Sequence, residues 1–204
     1  MSESQAPPNH HAAHPGFAGV SGLVAALSMA FGRKGDARLV ARLSGVRAGD
    51  TVVDIGCGPG VAVRFAAGRG ATAIGIDPAP VMLRVARLRA RQPAAVRYLE
   101  GVAEALPLTD QSASIIWSIA TVHHWSDIEA GLDEAHRVLV PGGRLVAIER
   151  ETKDGARGHA SHGWSTRQAD DFMERCRAHG FTDVRVERTT TGRRSTISVV
   201  ATAH

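Results

Sequence analysis

Three alternating glycines follow an acidic residue in the stretch VVDIGCGPG. Gly56, Gly58 and Gly60 allow positive φ angles and a close approach of the backbone to a ligand. The spacing G-x-G-x-G, with Val61 in place of the last glycine, differs from the G-x-G-x-x-G pattern of dinucleotide-binding turns. Asp54, just before the turn, would repel a pyrophosphate. The stretch therefore favours a cationic ligand, with a plain strand-to-helix turn as the alternative.

A second acidic residue, Asp77, ends the next apolar run, in the order Gly75-Ile76-Asp77-Pro78. A carboxylate at the end of a second strand can accept hydrogen bonds from the hydroxyls of a ribose. An Asp before Pro is also a common turn former, so Asp77 alone leaves both interpretations open. Together with the glycine turn it favours an adenosine-containing ligand.

Two histidines, His123 and His124, follow a later apolar run. Histidine titrates near neutral pH and can remove a proton from a hydroxyl group. We predict that one of the two acts as a general base. The alternative is that either ring only hydrogen-bonds the loop that carries it.

The elements that position these residues alternate between short apolar runs and helical patterns. This alternation predicts a single α/β domain at 17–204 with a doubly wound, mostly parallel sheet and a C-terminal antiparallel hairpin. A flexible tail is predicted at 1–16 and lid helices at about 17–45. Strands are predicted at 51–55, 72–76, 95–99, 115–119, 144–148, 184–188 and 195–201, and helices at 17–31, 36–43, 61–68, 80–91, 128–139 and 166–179.

The bulk composition is that of an ordinary globular protein. The 204 residues carry a formal net charge of +4, but the arginines are scattered along predicted helices and are not interleaved with aromatic residues, so nucleic acid is an unlikely partner. Two cysteines provide no disulfide framework. No apolar run reaches the roughly 18 residues of a membrane span, and the N-terminus does not have the pattern of a signal peptide. We therefore predict a cytoplasmic protein without a membrane partner.

Five stretches between about residues 48 and 148 resemble the class I S-adenosylmethionine-dependent methyltransferases. The similarity is greatest to the small-molecule group that includes the ubiquinone and menaquinone methylases. The resemblance implies a Rossmann-like fold and S-adenosylmethionine as the cofactor, whose positive charges suit Asp54. The stretches are VVDIGCGPG (52–60), GIDPAP (75–80), GVAEALPLTDQS (101–112), TVHHWSD (121–127) and EAHRVLVPGGRLVAIE (134–149).

The resemblance also implies a set of cofactor-binding residues. The segment at 54–60 would surround the methionine part, Asp77 the ribose, the segment at 102–104 the adenine edge, and the end of the fourth strand the amino group. This chain has Val102 where the family often has Asp, so we expect an apolar contact with the adenine ring there. The full set is Asp54, Gly56, Cys57, Gly58, Gly60, Asp77, Pro78, Val102, Ala103, Glu104, Ser118 and Ile119.

On the acceptor side, the family places substrate-contacting residues after the fifth strand, which implies Glu149, Arg150, His162 and Trp164 here. Aromatic residues make up only 4% of the chain, which argues against a flat hydrophobic pocket. We predict methylation of a hydroxyl oxygen on a polar small molecule such as a sugar or glycoside. The alternatives are C-methylation of a quinone-like ring and a non-catalytic regulatory protein that binds S-adenosylmethionine.

No residues have the spacing of a metal site, so none is predicted, and Mg²⁺ stays an alternative way to acidify a hydroxyl. A homodimer that covers the open acceptor site is a further expectation, without a sequence pattern behind it.

Overall fold

The structure is a computed structural model that describes residues 34–90, 93–155, 162–191 and 194–204. The predicted tail at 1–16 and the predicted helix at 17–31 lie outside the described residues. The second predicted lid helix, at 36–43, is found as helix α1, Lys34–Ser44.

A seven-stranded sheet forms the centre of the described chain. Its strands are β1 Thr51–Ile55, β2 Thr72–Asp77, β3 Val96–Glu100, β4 Ala113–Ile119, β5 Leu139–Arg150, β6 Phe181–Thr191 and β7 Arg194–Ala203. Their order across the sheet is β3-β2-β1-β4-β5-β7-β6; the first five strands pair in parallel, and β7 pairs antiparallel with β5 and β6. The predicted fold class is confirmed. The strand order reverses between β1 and β4, where ligands bind in folds of this kind.

Helices cover both faces of the sheet. The others are α2 Val61–Ala67, α3 Pro80–Leu88, α4 Ile128–Val138 and α5 Thr166–Ala178. One apolar cluster joins α1, α2 and α3 to the sheet, and a second joins α4 and α5 to its other face. None of the helices in the described part of the chain is long and apolar enough to cross a membrane.

Helix α1 is anchored to the centre of the sheet. Its Val40 and Ala41 side chains are at most 1% exposed. The helix ends at Gly45, whose φ of 62° is a common way to stop a helix. The indole Nε1 of the fully buried Trp117 in β4 donates a hydrogen bond to Ser44 Oγ at 3.1 Å. This bond satisfies the indole N–H and fixes the end of α1 over the middle of β4.

Three elements differ from their predicted bounds by three or more residues at one end or both. The helix predicted at 80–91 ends at Leu88, where the next two backbone N–H groups bond back three residues instead of four. Strand β5 begins at Leu139 rather than at 144, because the predicted turn at 141–143 is an irregularity inside the strand, with a register shift against β4. Strand β6 is longer than predicted and is irregular near Asp183, which has a φ of 50°.

Candidate functional site

The glycine turn after β1 is shaped by its close neighbours. Gly56, Gly58 and Gly60 all have positive φ angles, of 70°, 52° and 72°. A Cβ atom at Gly56 would lie 2.5 Å from the side chain of Thr121, and one at Gly60 would lie 2.3 Å from the hydroxyl of Tyr98. A Cβ atom at Gly58 would meet nothing within 4 Å. The turn is therefore packed tightly at both ends and open in the middle.

Asp77 holds this turn against the end of β2. The residue is 8% exposed, and its carboxylate accepts hydrogen bonds from the backbone N–H groups of Gly58 at 2.8 Å and Ala79 at 2.9 Å. Burial raises the pKa of Asp77, and these two hydrogen bonds oppose the increase. Each carboxylate oxygen has two lone pairs, so both oxygens keep the capacity to accept another hydrogen bond.

A second buried carboxylate lies beside the turn. Asp54, in β1, is 3% exposed. The pKa of the Cys57 thiol is raised well above its ordinary value, first by burial and then by the charges of Asp54 and Asp77. Two carboxylates thus concentrate negative charge next to the glycine turn, which favours a cationic ligand and keeps Cys57 a neutral thiol.

The ends of β1 and β4 are joined by a chain of hydroxyl groups. Thr121 Oγ1 donates to the carbonyl oxygen of Ile55 at 3.0 Å and lies 2.7 Å from Ser118 Oγ, so Ser118 is the donor to Thr121. Between them, Ala120 adopts a left-handed conformation with a φ of 54°. The chain leaves the sheet here and enters the 3-10 turn Val122–His124, directly beside the glycine turn.

That 3-10 turn brings His123 to Glu149, the last residue but one of β5. His123 Nδ1 lies 3.0 and 2.9 Å from the two carboxylate oxygens of Glu149. The Glu149 side chain is completely buried, whereas that of His123 is 15% exposed. An imidazole whose Nδ1–H is held by a buried carboxylate presents Nε2 as a base, and the carboxylate stabilises the imidazolium that forms. We call this pair the His123–Glu149 dyad.

Two more imidazoles stand beside the dyad. The ring of His124 lies 4.0 Å from that of His123 between centroids. The ring of His162 lies 5.6 Å from His123 and 6.2 Å from His124. Arg150 Nε donates to the carbonyl oxygen of His162 at 3.1 Å. The end of the sheet between β4 and β5 is therefore a polar, histidine-rich surface.

His162 lies here because the residues that follow it pair with the chain just after β5. Trp164 forms a parallel bridge with Glu151, just after the end of β5. Gly163 has a φ of 139°, and a Cβ atom on it would come within 2.1 Å of the carbonyl oxygen of Arg150. Only glycine allows so close an approach, so the segment depends on this residue.

The comparisons with known proteins agree with this geometry. Residues 53–147 match the methyltransferase domain family. The chain is 40% identical over 114 residues to a demethylmenaquinone methyltransferase of Tropheryma whipplei, covering 55% of this chain and 46% of the relative. It is 41% identical over 98 residues to a malonyl-[acyl-carrier protein] O-methyltransferase of Serratia marcescens, covering 48% and 37%. A solved SAM-dependent methyltransferase from Aquifex aeolicus superposes with a TM-score of 0.73 at 20% identity, over 89% of this chain and 98% of that one.

The chain is therefore similar, over residues 53–147, to the class I S-adenosylmethionine-dependent methyltransferases. It spans less than half the length of the curated relatives that it matches. The solved structure, at 20% identity, supports the fold alone.

The edge of the sheet beside the glycine turn fits S-adenosylmethionine. The open position at Gly58 leaves room for a ligand against the backbone. Asp54 and Asp77 supply negative charge for a sulfonium and an ammonium, and Asp77 keeps acceptor capacity for ribose hydroxyls. The bound cofactor would thus lie against the ends of β1, β2 and β4, where Gly58 leaves space and Asp54 and Asp77 would supply the negative charge.

The other predicted cofactor residues lie at the same edge of the sheet, with different side-chain environments. Val102 is 43% exposed, so its methyl groups are available to an adenine ring, whereas Ala103 is buried. The Glu104 carboxylate accepts hydrogen bonds from Ser126 Oγ at 2.8 Å and from the Asp127 N–H at 3.1 Å. This carboxylate holds the start of α4, and its predicted place at the adenine edge stays a prediction. Of the other predicted cofactor-binding residues, Pro78 is exposed, and Ser118 and Ile119 are buried.

The predicted acceptor residues separate into two groups. Arg150 and His162 lie at the polar surface, and Glu149 lies beneath it as the partner of His123. Trp164 is 4% exposed and belongs to the apolar cluster under α4 and α5. Within the described ranges, no group of three or more His, Cys, Asp or Glu side chains is arranged to hold a metal ion.

Sequence reasoning missed Thr121, Tyr98 and the role of Glu149 as a partner for His123. The role of Thr121 can be recognised only once the strand order is known, because its hydroxyl binds the carbonyl oxygen of Ile55 in β1. Burial raises the pKa of Tyr98 to about 12, and its ring packs against Gly60 and Gly75. A detectable signal existed for Glu149, since a charged residue ends the apolar run LVAIE at the same sheet edge as the histidine pair.

Proposed function

We propose that this protein transfers a methyl group from S-adenosylmethionine to a hydroxyl oxygen of a polar small molecule, with His123 as the general base. The observation that supports this best is the His123–Glu149 dyad, at 2.9 Å, beside the glycine turn. The surrounding His124, His162 and Arg150 make a polar acceptor surface, which favours a hydroxylated acceptor such as a sugar or glycoside.

When bound, S-adenosylmethionine would supply a methyl group activated by a positively charged sulfur, and the methyl–sulfur bond would break to leave S-adenosylhomocysteine. His123 Nε2 accepts the proton of the acceptor hydroxyl as the oxygen attacks the methyl carbon. Glu149 holds the Nδ1–H and balances the charge of the imidazolium that results. A positioned base of this kind contributes about 10²–10⁴-fold to the rate. An acceptor that is already an anion, such as a carboxylate, would gain nothing from it.

A second candidate is C-methylation of a hydroquinone ring. The observation that favours it is the 40% identity to a demethylmenaquinone methyltransferase. The same dyad would serve, because removing a ring hydroxyl proton makes the neighbouring carbon nucleophilic. The product therefore separates the two candidates, since the methyl group ends on oxygen in one and on carbon in the other.

The first experiment is transfer of a ¹³C-labelled methyl group from S-adenosylmethionine into fractionated small-molecule extracts. We expect label on oxygen in a hydroxyl-rich, water-soluble product, identified by mass spectrometry and by the ¹³C chemical shift of the methyl group. Label on a ring carbon would transfer the assignment to the second candidate. Binding of S-adenosylhomocysteine without label in any fraction would support a non-catalytic binder.

The base is then tested with His123→Gln and the matched variant His124→Gln. We expect the first to lower kcat by about 10²–10⁴-fold. We expect the second to raise the acceptor KM with a smaller change in kcat. Unchanged turnover by the His123 variant would exclude the proposed base.

We further propose that the protein acts in the cytoplasm and that methyl transfer does not require Mg²⁺. A chelator is then expected to leave turnover unchanged.

A further inference from the structure

Three aromatic side chains link the two loops that carry the histidines. Trp125 directly follows the histidine pair, and Trp164 lies two residues after His162. Phe172 of α5 packs against both, with ring centroids 6.3 Å from Trp125 and 4.8 Å from Trp164. All three side chains are buried, at 6%, 4% and 2% exposure. We call these three residues the aromatic bracket.

The bracket joins loops that are distant in sequence and close in space. One loop follows β4 and the other follows β5, and their imidazoles come within 5.6 Å of each other between His123 and His162. Each loop continues at once into a capped helix. Asp127 accepts hydrogen bonds from the first turn of α4, and Ser165 forms a reciprocal capping box with Gln168 at the start of α5. The histidine positions therefore follow the positions of these helices.

The packing around the bracket leaves little freedom. A Cβ atom on Gly131 of α4 would lie 2.5 Å from Cε3 of Trp125. On the other side, Gly163 sits against the carbonyl oxygen of Arg150, where a Cβ atom would come within 2.1 Å. The Trp125 indole is thus held by Gly131 as well as by Phe172, and the backbone just before Trp164 is held against Arg150. Close-packed interiors transmit a small displacement instead of absorbing it.

We propose that Phe172 is a positioning residue for catalysis, which sets the separation of His123 and His162 through the two indoles. Phe172 itself lies beneath the site, in the apolar cluster of α4 and α5. The inference rests on the proposed role of His123 as the base. Displacement of a catalytic group by about 1 Å can cost about 100-fold in rate, so a change of packing at Phe172 affects turnover more than cofactor binding.

The test compares Phe172→Leu with Phe181→Leu. Both phenylalanines belong to the same apolar cluster, at 2% and 3% exposure. Phe181, however, is the first residue of β6 and packs against the ring of His136 in α4. We expect the Phe172 variant to lower kcat by about 10–100-fold, with an unchanged Kd for S-adenosylhomocysteine. We expect the Phe181 variant, with a similar loss of stability, to keep kcat within about twofold. Activity is measured on the acceptor found by the labelling experiment.

A second variant tests the packing of Trp125 without truncating Phe172. An NMR measurement tests the histidine positions without the acceptor. Gly131→Ala places a methyl group against Trp125 from helix α4 and is expected to lower kcat in the same range. NMR of the histidine ring protons, with S-adenosylhomocysteine bound, should show shifts for His123 and His162 in the Phe172 and Gly131 variants and none in the Phe181 variant.

Matching kcat values and matching histidine spectra for the Phe172 and Phe181 variants would overturn the inference. Failure of the proposed function has a different result. If His123→Gln keeps wild-type turnover, the base assignment is wrong, while the histidine spectra still decide whether Phe172 positions the rings.

Discussion

The two halves of the site are built from different parts of the chain. On the cofactor half, the backbone forms the surface: three glycines turn tightly, and Asp77 binds backbone N–H groups with both carboxylate oxygens. On the acceptor half, side chains form the surface, and contacts between other side chains hold them. The His123–Glu149 dyad and the aromatic bracket both join residues from separate elements of the chain.

This difference explains what each half can vary. The backbone turn requires particular residues at particular positions, because a Cβ atom at Gly56 or Gly60 would collide with its neighbours. The acceptor half presents side chains from loops, so its exposed residue types can change while the buried packing beneath them persists. A common cofactor and different acceptors among related proteins are the expected outcome.

The largest expected effect lies in the acceptor half. Glu149→Gln replaces a carboxylate by an amide, which no longer balances the imidazolium charge and can hold the wrong tautomer. We expect kcat to fall by about 10²–10⁴-fold with an unchanged Kd for S-adenosylhomocysteine. The matched control is Glu151→Gln, two residues further on, where the carboxylate pairs with Arg188 at 3.2 Å. Equal effects of the two substitutions would contradict the dyad.

The next largest effect is expected in the cofactor half and is measured as a change in the free energy of unfolding. Gly60→Ala combines left-handed strain with a collision against Tyr98, and we expect a loss of about 2–5 kcal/mol in the free energy of unfolding. Gly58→Ala has the strain without the collision and is expected to lose about 1–2 kcal/mol. Chemical denaturation of the ligand-free protein measures both. A Gly58 variant that loses as much as the Gly60 variant would show that packing does not separate the two positions.

A smaller effect concerns the helices that support the acceptor half. His179, just after α5, pairs with Asp133 at 2.6 Å and with Glu129, which also pairs with Arg175. Burial lowers the pKa of His179, but the hydrogen bonds to these two carboxylates outweigh it, and the pKa is raised overall. The stabilisation is therefore complete below the unfolded pKa of about 6.5 and is lost as the pH rises through the folded value.

The measurement is the Tm difference between the wild type and His179→Gln as a function of pH. We expect about 1 kcal/mol or less at pH 6, which corresponds to about 2–4 °C for a domain of this size. The difference should shrink above the folded pKa. A difference that grows with pH would refute the proposed charge state.

The smallest effect lies at the junction of the two halves. Ala120 adopts a φ of 54°, so Ala120→Gly removes left-handed strain of about 1–2 kcal/mol and adds about 0.5–1 kcal/mol of unfolded-state entropy. We expect the free energy of unfolding to rise by about 0.5 kcal/mol. Ala135→Gly, in the buried face of α4, is the control and should be destabilising. A destabilised Ala120 variant would show that the methyl group contributes more by packing than it costs in strain.

The positions of the glycine turn and its two carboxylates were largely predictable because they depend on neighbours in sequence. Asp54, the three glycines and Asp77 were named from local patterns, and all lie at the expected edge of the sheet. The sheet itself was predictable for the same reason, since short apolar runs alternate with helical patterns. The irregularity inside β5 was not, because the shift at its start depends on pairing with Ala113 in β4.

The acceptor half was less predictable because its contacts join residues that are far apart in the sequence. Glu149 was named as a substrate contact, and the structure pairs it with His123, 26 positions away in the sequence. Trp164 is predicted as an acceptor residue because it follows the fifth strand, where the family contacts its substrates, but its indole is buried against Phe172. Sequence alone does not say which of several neighbouring side chains turns inward, since that is decided by the space that the opposite element leaves.

The irregular strand at the far edge of the sheet has a consequence for solubility. An edge strand of 11 residues offers unpaired N–H and C=O groups to which a foreign strand could add. The left-handed Asp183 and the register shift between Thr182 and Arg185 break this ladder near its start, and the Arg185–Glu187 pair places charge on the strand that continues. Such a strand is a poorer template for the addition of a foreign strand than a regular strand of the same length.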